Sequence, residues 1–229
     1  VADMVCPWCY IGLARLQEAG RRAAEQHGIM LDITFTPFIL RRHMPKAGVD
    51  KLAMFASGGM GEASARAKFD HIRDAALADG LCLDFSGQRA GNSEDAHRLL
   101  LWAARMQGGG AWLALLTSMF EKYNCERGWL GDHGVLLGAV ERTSAAADRA
   151  GADGTPVQSP PLERAEAAAV LADESAYLDE LERGLARSAR LGAHGVPLFV
   201  IGAASALPGA VPAAELLRAV VAAADAPPR

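Results

Sequence analysis

Four cysteines in 229 residues are too few to staple a chain of this size into a disulfide scaffold. Dense basic blocks are also missing; Arg41-Arg42 is only a pair. With 23 Lys and Arg against 27 Asp and Glu, a net charge of −4 and a pI near 5.9, the chain lacks the surface that nucleic acid requires. No apolar run is long enough to span a bilayer, so no membrane role is expected. There is no internal repeat. What remains is ordinary for a globular protein: 51% hydrophobic and 22% charged residues, long enough to bury a real core in one or two domains.

Against that background Cys6-Pro7-Trp8-Cys9 stands out. Two cysteines three apart can close and open a disulfide across one helical turn. The apolar-periodic run Ile11 to Leu16 follows at once, so the pair sits where a helix begins. A helix N-terminus offers unpaired N–H groups and the positive end of the macrodipole, which lower a thiol pKa from the roughly 8.5 of a free cysteine. Pro7 suits the first turn, where its missing N–H would have had no intrahelical partner. Cys6 therefore reads as the exposed nucleophile, and Cys9 as the partner that resolves a mixed disulfide. Two blander readings compete. A CxxC can be half of a structural zinc site, but no second CxxC or finger-spaced Cys/His pair is present, since His27 and His43 are not so spaced. The two cysteines could also be idle. Cys82, in Leu81-Cys82-Leu83, reads as a buried small hydrophobe, and Cys125 as a more exposed thiol without a role. In sequence the two stand far apart.

Along the chain, residues 1–5 read as the tail of a strand entering the cysteine turn. A first helix is predicted from Pro7 to Gln26, ending near Gly28. Leu31 to Thr36 alternates apolar and polar as a strand does. Strand, helix and strand in that order imply a parallel βαβ unit. From Val49 to Gly192 the pattern is helical, most clearly over Glu62–Ala78, Ser93–Gln107, Ala111–Tyr123 and Ser175–Leu191. Gly108-Gly109-Gly110 punctuates two helices, and Arg149–Pro161 reads as a loop. A proline-opened strand over Val196–Gly202, a short return at Ala206-Leu207 and a helix over Pro212–Ala223 complete the chain. The predicted plan is an α/β sheet built from both ends, with a large all-helical domain inserted: residues 1–48 and 193–229 around residues 49–192.

This plan resembles the thioredoxin superfamily, and within it the DsbA-like group with an inserted helical domain. The chain is most similar to the FrnE-like branch, near the 2-hydroxychromene-2-carboxylate isomerases and kappa-class glutathione transferases. The landmarks are Asp3 through Gly12, Pro37-Phe38, Asn92-Ser93 with Ala96-His97-Arg98, Gly195-Val196-Pro197, and Gly209-Ala210 with Pro212. The resemblance implies a cis Pro197 facing the CxxC motif, leaving the backbone of Val196 free to pair with an extended substrate. An X–Pro bond costs only about 0.5–1 kcal/mol in cis; a trans proline that merely opens a strand is the alternative. It also implies a groove lined by Asn92 and His97. Either Asn92 or Ser93 could instead simply cap a helix, and His97 could be an ordinary interior histidine. Trp8 is expected at the rim. A carboxylate at Asp3 could relay a proton to a buried Cys9, or be a surface turn residue.

Two departures from the pattern are visible. The first strand is nearly absent between Val1 and Met4, so residues upstream of Val1 could be missing, an address segment among them. Residues 124–133 and the Pro/Gly-rich excursion match nothing in the family.

The expected function is thiol–disulfide oxidoreduction through Cys6 and Cys9, with Pro7, Trp8, Val196, Pro197, Asn92 and His97 around the substrate. The motif calls for neither metal nor cofactor. The substrate would be a thiol or disulfide, on a protein or on glutathione, with a homodimer as a possible assembly and a cytoplasmic location. The alternative is a glutathione-dependent isomerase or transferase. Relatives of that class carry serine where Cys6 stands, so the paired cysteines favour redox exchange. A non-catalytic binding module ranks last.

Overall fold

A computed structural model describes residues 1–106, 110–152, 161–202 and 205–226. Helix α1 (Pro7–His27) starts as its sequence dictates, with Cys6 in extended conformation at the N-cap and Pro7 in the first turn. It stops at Gly28, whose φ of 67° is the left-handed value a helix-ending glycine supplies freely. The Gly28 N–H donates to the Ala24 carbonyl, and the Ile29 N–H to that of Ala23, each at 3.1 Å.

The predicted strand over Leu31–Thr36 does not form. Its alternation survives as half-buried Leu31, Ile33 and Phe35 between exposed Asp32 and Thr34. A strand also needs a ladder, and only Ala2 reaches it. The Ala2 N–H donates to Thr36, and the Phe38 N–H to Ala2, each at 3.1 Å, making a single parallel bridge between Ala2 and Pro37. On its other side the opening segment meets the C-terminal hairpin. Leu198 N–H donates to the Val1 carbonyl at 3.1 Å, and the Val1 amino group to the Leu198 carbonyl at 2.7 Å. That hairpin pairs β3 (Leu198–Ile201) antiparallel with β4 (Ser205–Pro208), and a helix, α9 (Ala213–Ala224), packs on α1. The two ends of the chain thus meet, but mostly through bridges rather than a full sheet.

Between them lies the helical insertion. It opens with a two-residue antiparallel ribbon, β1 (Val49–Asp50) against β2 (Arg89–Ala90), which the helical periodicity of this stretch did not predict. Asp50 caps α2 (Lys51–Phe55) by accepting from the Ala53 N–H at 2.7 Å. A wide turn leads to α3 (Glu62–Ala78), as predicted, and β2 leads to α4 (Glu94–Arg105) and α5 (Ala111–Asn124). Gln107, Gly108 and Gly109 fall outside the described residues. Helix α6 (His133–Ala152) overruns the predicted loop at 149–152, and 153–160 are not described. Helices α7 (Arg164–Ala172) and α8 (Leu178–Arg190) close the block. Arg98, fully buried on α4, holds the turn between them: its Nη1 donates to the carbonyls of Val170, Asp173 and Ala176 at 2.8–3.0 Å, and its Nη2 to Asp95 at 3.0 Å.

Candidate active site

Cys6 and Cys9 lie at the mouth of α1, both unbonded thiols. The Cys6 N-cap carbonyl accepts from the Cys9 N–H at 3.0 Å, the first turn of the helix. The Cys9 thiol donates to the Cys6 sulfur, and this is the main reason the Cys6 thiol sits below a free cysteine's range. Burial and the Asp3 carboxylate oppose it, while the backbone N–H groups of Cys9 and Trp8 add to it. Cys9 moves the other way. Burial first, then its bond to Cys6, push its thiol well above the ordinary value. The pair is thus split into one acidic and one reluctant sulfur.

Cys6 is not the exposed thiol that the sequence suggested: only 6% of its surface is accessible, against 2% for Cys9. It forms part of the floor of a cavity of about 280 Å³ instead. Pro7, Trp8 and Val196 stand around it there. The Cys6 thiol donates to the Val196 carbonyl at 3.6 Å, and the Val196–Pro197 peptide is cis. Pro197 itself faces the Cys9 side, lining with it a separate apolar cleft. Close approach there needs Gly12, where a Cβ would lie 3.0 Å from Phe199 and 3.1 Å from Pro197.

The rest of the cavity comes from residues that the sequence reading did not single out as site residues. Arg41, Lys51 and Lys68 supply three cations, and Phe55, Phe69, Phe85 and Tyr123 supply aromatic faces. No carboxylate is among the described lining residues. Lys51 is 5% exposed and donates to Gln88 Oε1 at 2.5 Å and to the Tyr123 hydroxyl at 3.3 Å. Its ammonium also lies over the rings of Phe85 and Tyr123, at 5.1 and 5.0 Å. Burial lowers its pKa to about 7. One signal was available: Lys51 and Phe55 share a face of α2 at i, i+4, which puts a lysine on the inward stripe.

Asn92 and His97 do not line this cavity. Asn92 donates to the Arg42 carbonyl at 2.8 Å and accepts from the Glu94 N–H at 2.8 Å, so it fixes a loop and starts α4. Ser93 does not cap the helix with its side chain; its hydroxyl donates to Asp3 Oδ1 at 2.8 Å. His97 is fully buried, stacked on Phe35, with Nε2 at 3.4 Å from Asp3 Oδ1 and neither ring nitrogen completing a hydrogen bond. The reason is that α4 turns this face toward Asp3 behind the cysteines. Asp3 is no surface turn residue: it is fully buried and also accepts from the N–H groups of Val5 at 3.3 Å and Leu40 at 2.8 Å. Its own N–H points at the Cys9 sulfur.

A family model described as DSBA-like thioredoxin domain matches residues 1–221. The chain belongs to the DsbA-like thioredoxin family. The fold agrees with that of a probable DsbA oxidoreductase from Streptomyces coelicolor, at 29% identity and a TM-score of 0.83, over 100% of this chain and 90% of that one. A candidate protein disulfide isomerase from Nitrosomonas europaea is similar in fold only, at 16% identity and a TM-score of 0.57, over 96% and 92% of the two chains. No curated protein matches the sequence. Among the described residues of this DsbA-like protein, no group of His, Cys, Asp and Glu could hold a metal ion, and no helix is long and apolar enough to cross a membrane.

Proposed function

We propose that this protein exchanges thiols and disulfides through Cys6 and Cys9. The observation that carries the reading is the asymmetric pair: a Cys6 thiol held low chiefly by its hydrogen bond with Cys9, and lying 3.6 Å from the Val196 carbonyl it donates to. In the reducing direction, the Cys6 thiolate attacks one sulfur of a substrate disulfide. One substrate thiolate leaves, and a mixed disulfide forms on Cys6. Cys9 then loses its proton and attacks the Cys6 sulfur; the Cys6–Cys9 disulfide forms and the second substrate thiol departs. Two electrons pass from the cysteines to the substrate, and the reverse sequence oxidises a dithiol.

Asp3 is the carboxylate nearest to hand for the Cys9 proton. Four neighbours steady it from behind: Val5, Leu40, Ser93 and His97. An extended substrate would meet the Val196 backbone, and Trp8 would form the rim. The deciding assay is insulin reduction with dithiothreitol, comparing the wild type with Cys6→Ser. A rate equal to wild type in Cys6→Ser rejects the reading.

Arg41 and Lys68 on the cavity wall, joined by Lys51 where it is protonated, favour a substrate that is itself anionic, glutathione being the simplest. That observation keeps a second reading in view, a glutathione-dependent isomerase or transferase. Glutathione binding that persists after both cysteines are removed, with no insulin reduction by the wild type, would favour it.

A further inference from the structure

The two cysteines outside the motif are 43 residues apart in sequence, yet the fold brings them together. Cys82 lies in the connector after α3, and Cys125 directly follows α5. The two segments are zipped by the Asp84 N–H, which donates to the Asn124 carbonyl at 2.7 Å. Beside this bond the Cys125 thiol donates to the carbonyl of Cys82 at 2.7 Å. A thiol bonded to the main-chain carbonyl of Cys82 puts the two residues in direct contact, and a disulfide asks for Cα atoms about 4.4–6.8 Å apart. Contrary to the sequence expectation, Cys82 is exposed rather than buried; Cys125 is half-buried. The Cys125 sulfur also meets the Tyr10 hydroxyl, next in sequence to Cys9.

We propose that Cys82 and Cys125 form a second, reversible disulfide by exchange with a small-molecule disulfide of the glutathione class. The exposed Cys82 thiolate attacks one sulfur of glutathione disulfide and one glutathione thiolate leaves. Cys125 gives its proton to solvent, attacks the Cys82 sulfur of the mixed disulfide, and releases the second glutathione. The two cysteines lose two electrons and two protons; two glutathione thiols carry them. The bond would tie together the two segments that build the back of the cavity over Cys6. Phe85 comes from the connector and Tyr123 from α5, and behind them the Gln88 amide donates to the Tyr123 carbonyl at 2.7 Å. Oxidation would pin this wall, whatever the cavity holds.

The test is independent of any activity. The full chain and its Cys6→Ser/Cys9→Ser variant are equilibrated in reduced and oxidised glutathione, alkylated, digested without reduction and mapped by mass spectrometry. The expected result is one peptide pair joining Cys82 to Cys125 in the monomer of both proteins, lost in Cys82→Ser, with a higher Tm for the oxidised form. Four outcomes overturn the proposal: both thiols still alkylated at a strongly oxidising ratio, only mixed disulfides with glutathione, a cross-link confined to dimers, or an oxidised form that melts no higher than the reduced one.

Discussion

Removing the Cys9 sulfur tests what makes Cys6 acidic. Two sources of thiolate stabilisation are present at this site. One is the start of α1, with its unpaired N–H groups and dipole; the other is the Cys9 thiol donating to the Cys6 sulfur. In Cys9→Ala the helix start is kept and the donor is lost. A hydrogen bond to a charged group contributes about 1.5–3 kcal/mol. A thiol is a weak donor, which puts this bond at the low end of that range. Losing that donor should move the Cys6 titration upward in Cys9→Ala. Cys9→Ser keeps a hydroxyl donor and should shift Cys6 much less. The assay is thiolate absorbance at 240 nm against pH on reduced protein, cross-checked by the pH dependence of alkylation. The sign carries into stability. A thiol whose folded pKa is depressed stabilises the reduced fold above the unfolded thiol's pKa, and that stabilisation is lost as pH falls through the folded value. Cys9→Ala narrows that window from below. Identical Cys6 titration in wild type and Cys9→Ala would refute the reasoning and return the effect to the helix terminus.

Two further outcomes follow from the buried charges. Lys51 is held near a pKa of about 7 by burial, whereas an unfolded lysine titrates near 10.4, so the unfolded chain binds more protons between those values. Wild-type stability therefore gains from this group as pH rises from about 7 to 9.5. Lys51→Met should remove up to about 3 kcal/mol of that gain in urea melts at the two pH values, and raise KM for glutathione more than it lowers kcat; an unchanged pH dependence of stability would contradict the burial argument. Asp3→Asn keeps an oxygen for Val5 and Ser93 to donate to, gives up the acceptor of the Leu40 N–H, and removes the carboxylate beside Cys9. Resolution by Cys9 should slow at least about tenfold, seen as accumulation of the Cys6 mixed disulfide in quenched reactions, and unchanged accumulation would remove Asp3 from the proton path.

The parts legible in the sequence were those in which neighbouring residues decide the structure. Pro7 beside Cys6, with apolar spacing after it and Gly28 at the end, specifies α1 almost to the residue. Val196-Pro197 opening an apolar run specifies β3, and Gly195 through Gly209 the hairpin it belongs to. What failed depended on partners elsewhere. Leu31–Thr36 has the alternation of a strand and lacks a ladder, because pairing belongs to two segments and only Ala2 is opposite. Lys51 reads as a solvated charge until Gln88 and Tyr123 close over it. His97 and Asn92 were expected in the groove on family pattern, yet α4 turns His97 toward Asp3, and Asn92, just before that helix, donates to the Arg42 carbonyl. Cys82 and Cys125 looked unrelated because the contacts that join their segments, Asp84 to Asn124 and Gln88 to Tyr123, come from the fold and not from their spacing.

These failures share a cause that bears on how the site is built. The sulfurs come from α1, the carbonyl from the Val196 turn, the cations from Arg41, α2 and α3, and the aromatic wall from the helical block. Behind them, Asp3 accepts from Val5 and Leu40 within residues 1–48 and from Ser93 at the N-cap of α4, with His97 of α4 at 3.4 Å. If residues 49–192 form an inserted unit within 1–48 and 193–229, as we propose, the insertion is no appendage to a self-sufficient site. Without α4 and its N-cap, Asp3 would be a buried carboxylate short of the Ser93 hydroxyl, and an uncompensated buried charge costs several kcal/mol. Without α2, the α3–α4 connector and α5, Cys6 would open to water and lose the cavity that gives it a substrate. On the proposed function, the cysteine pair would supply the reaction and the helical block would decide which molecules reach it.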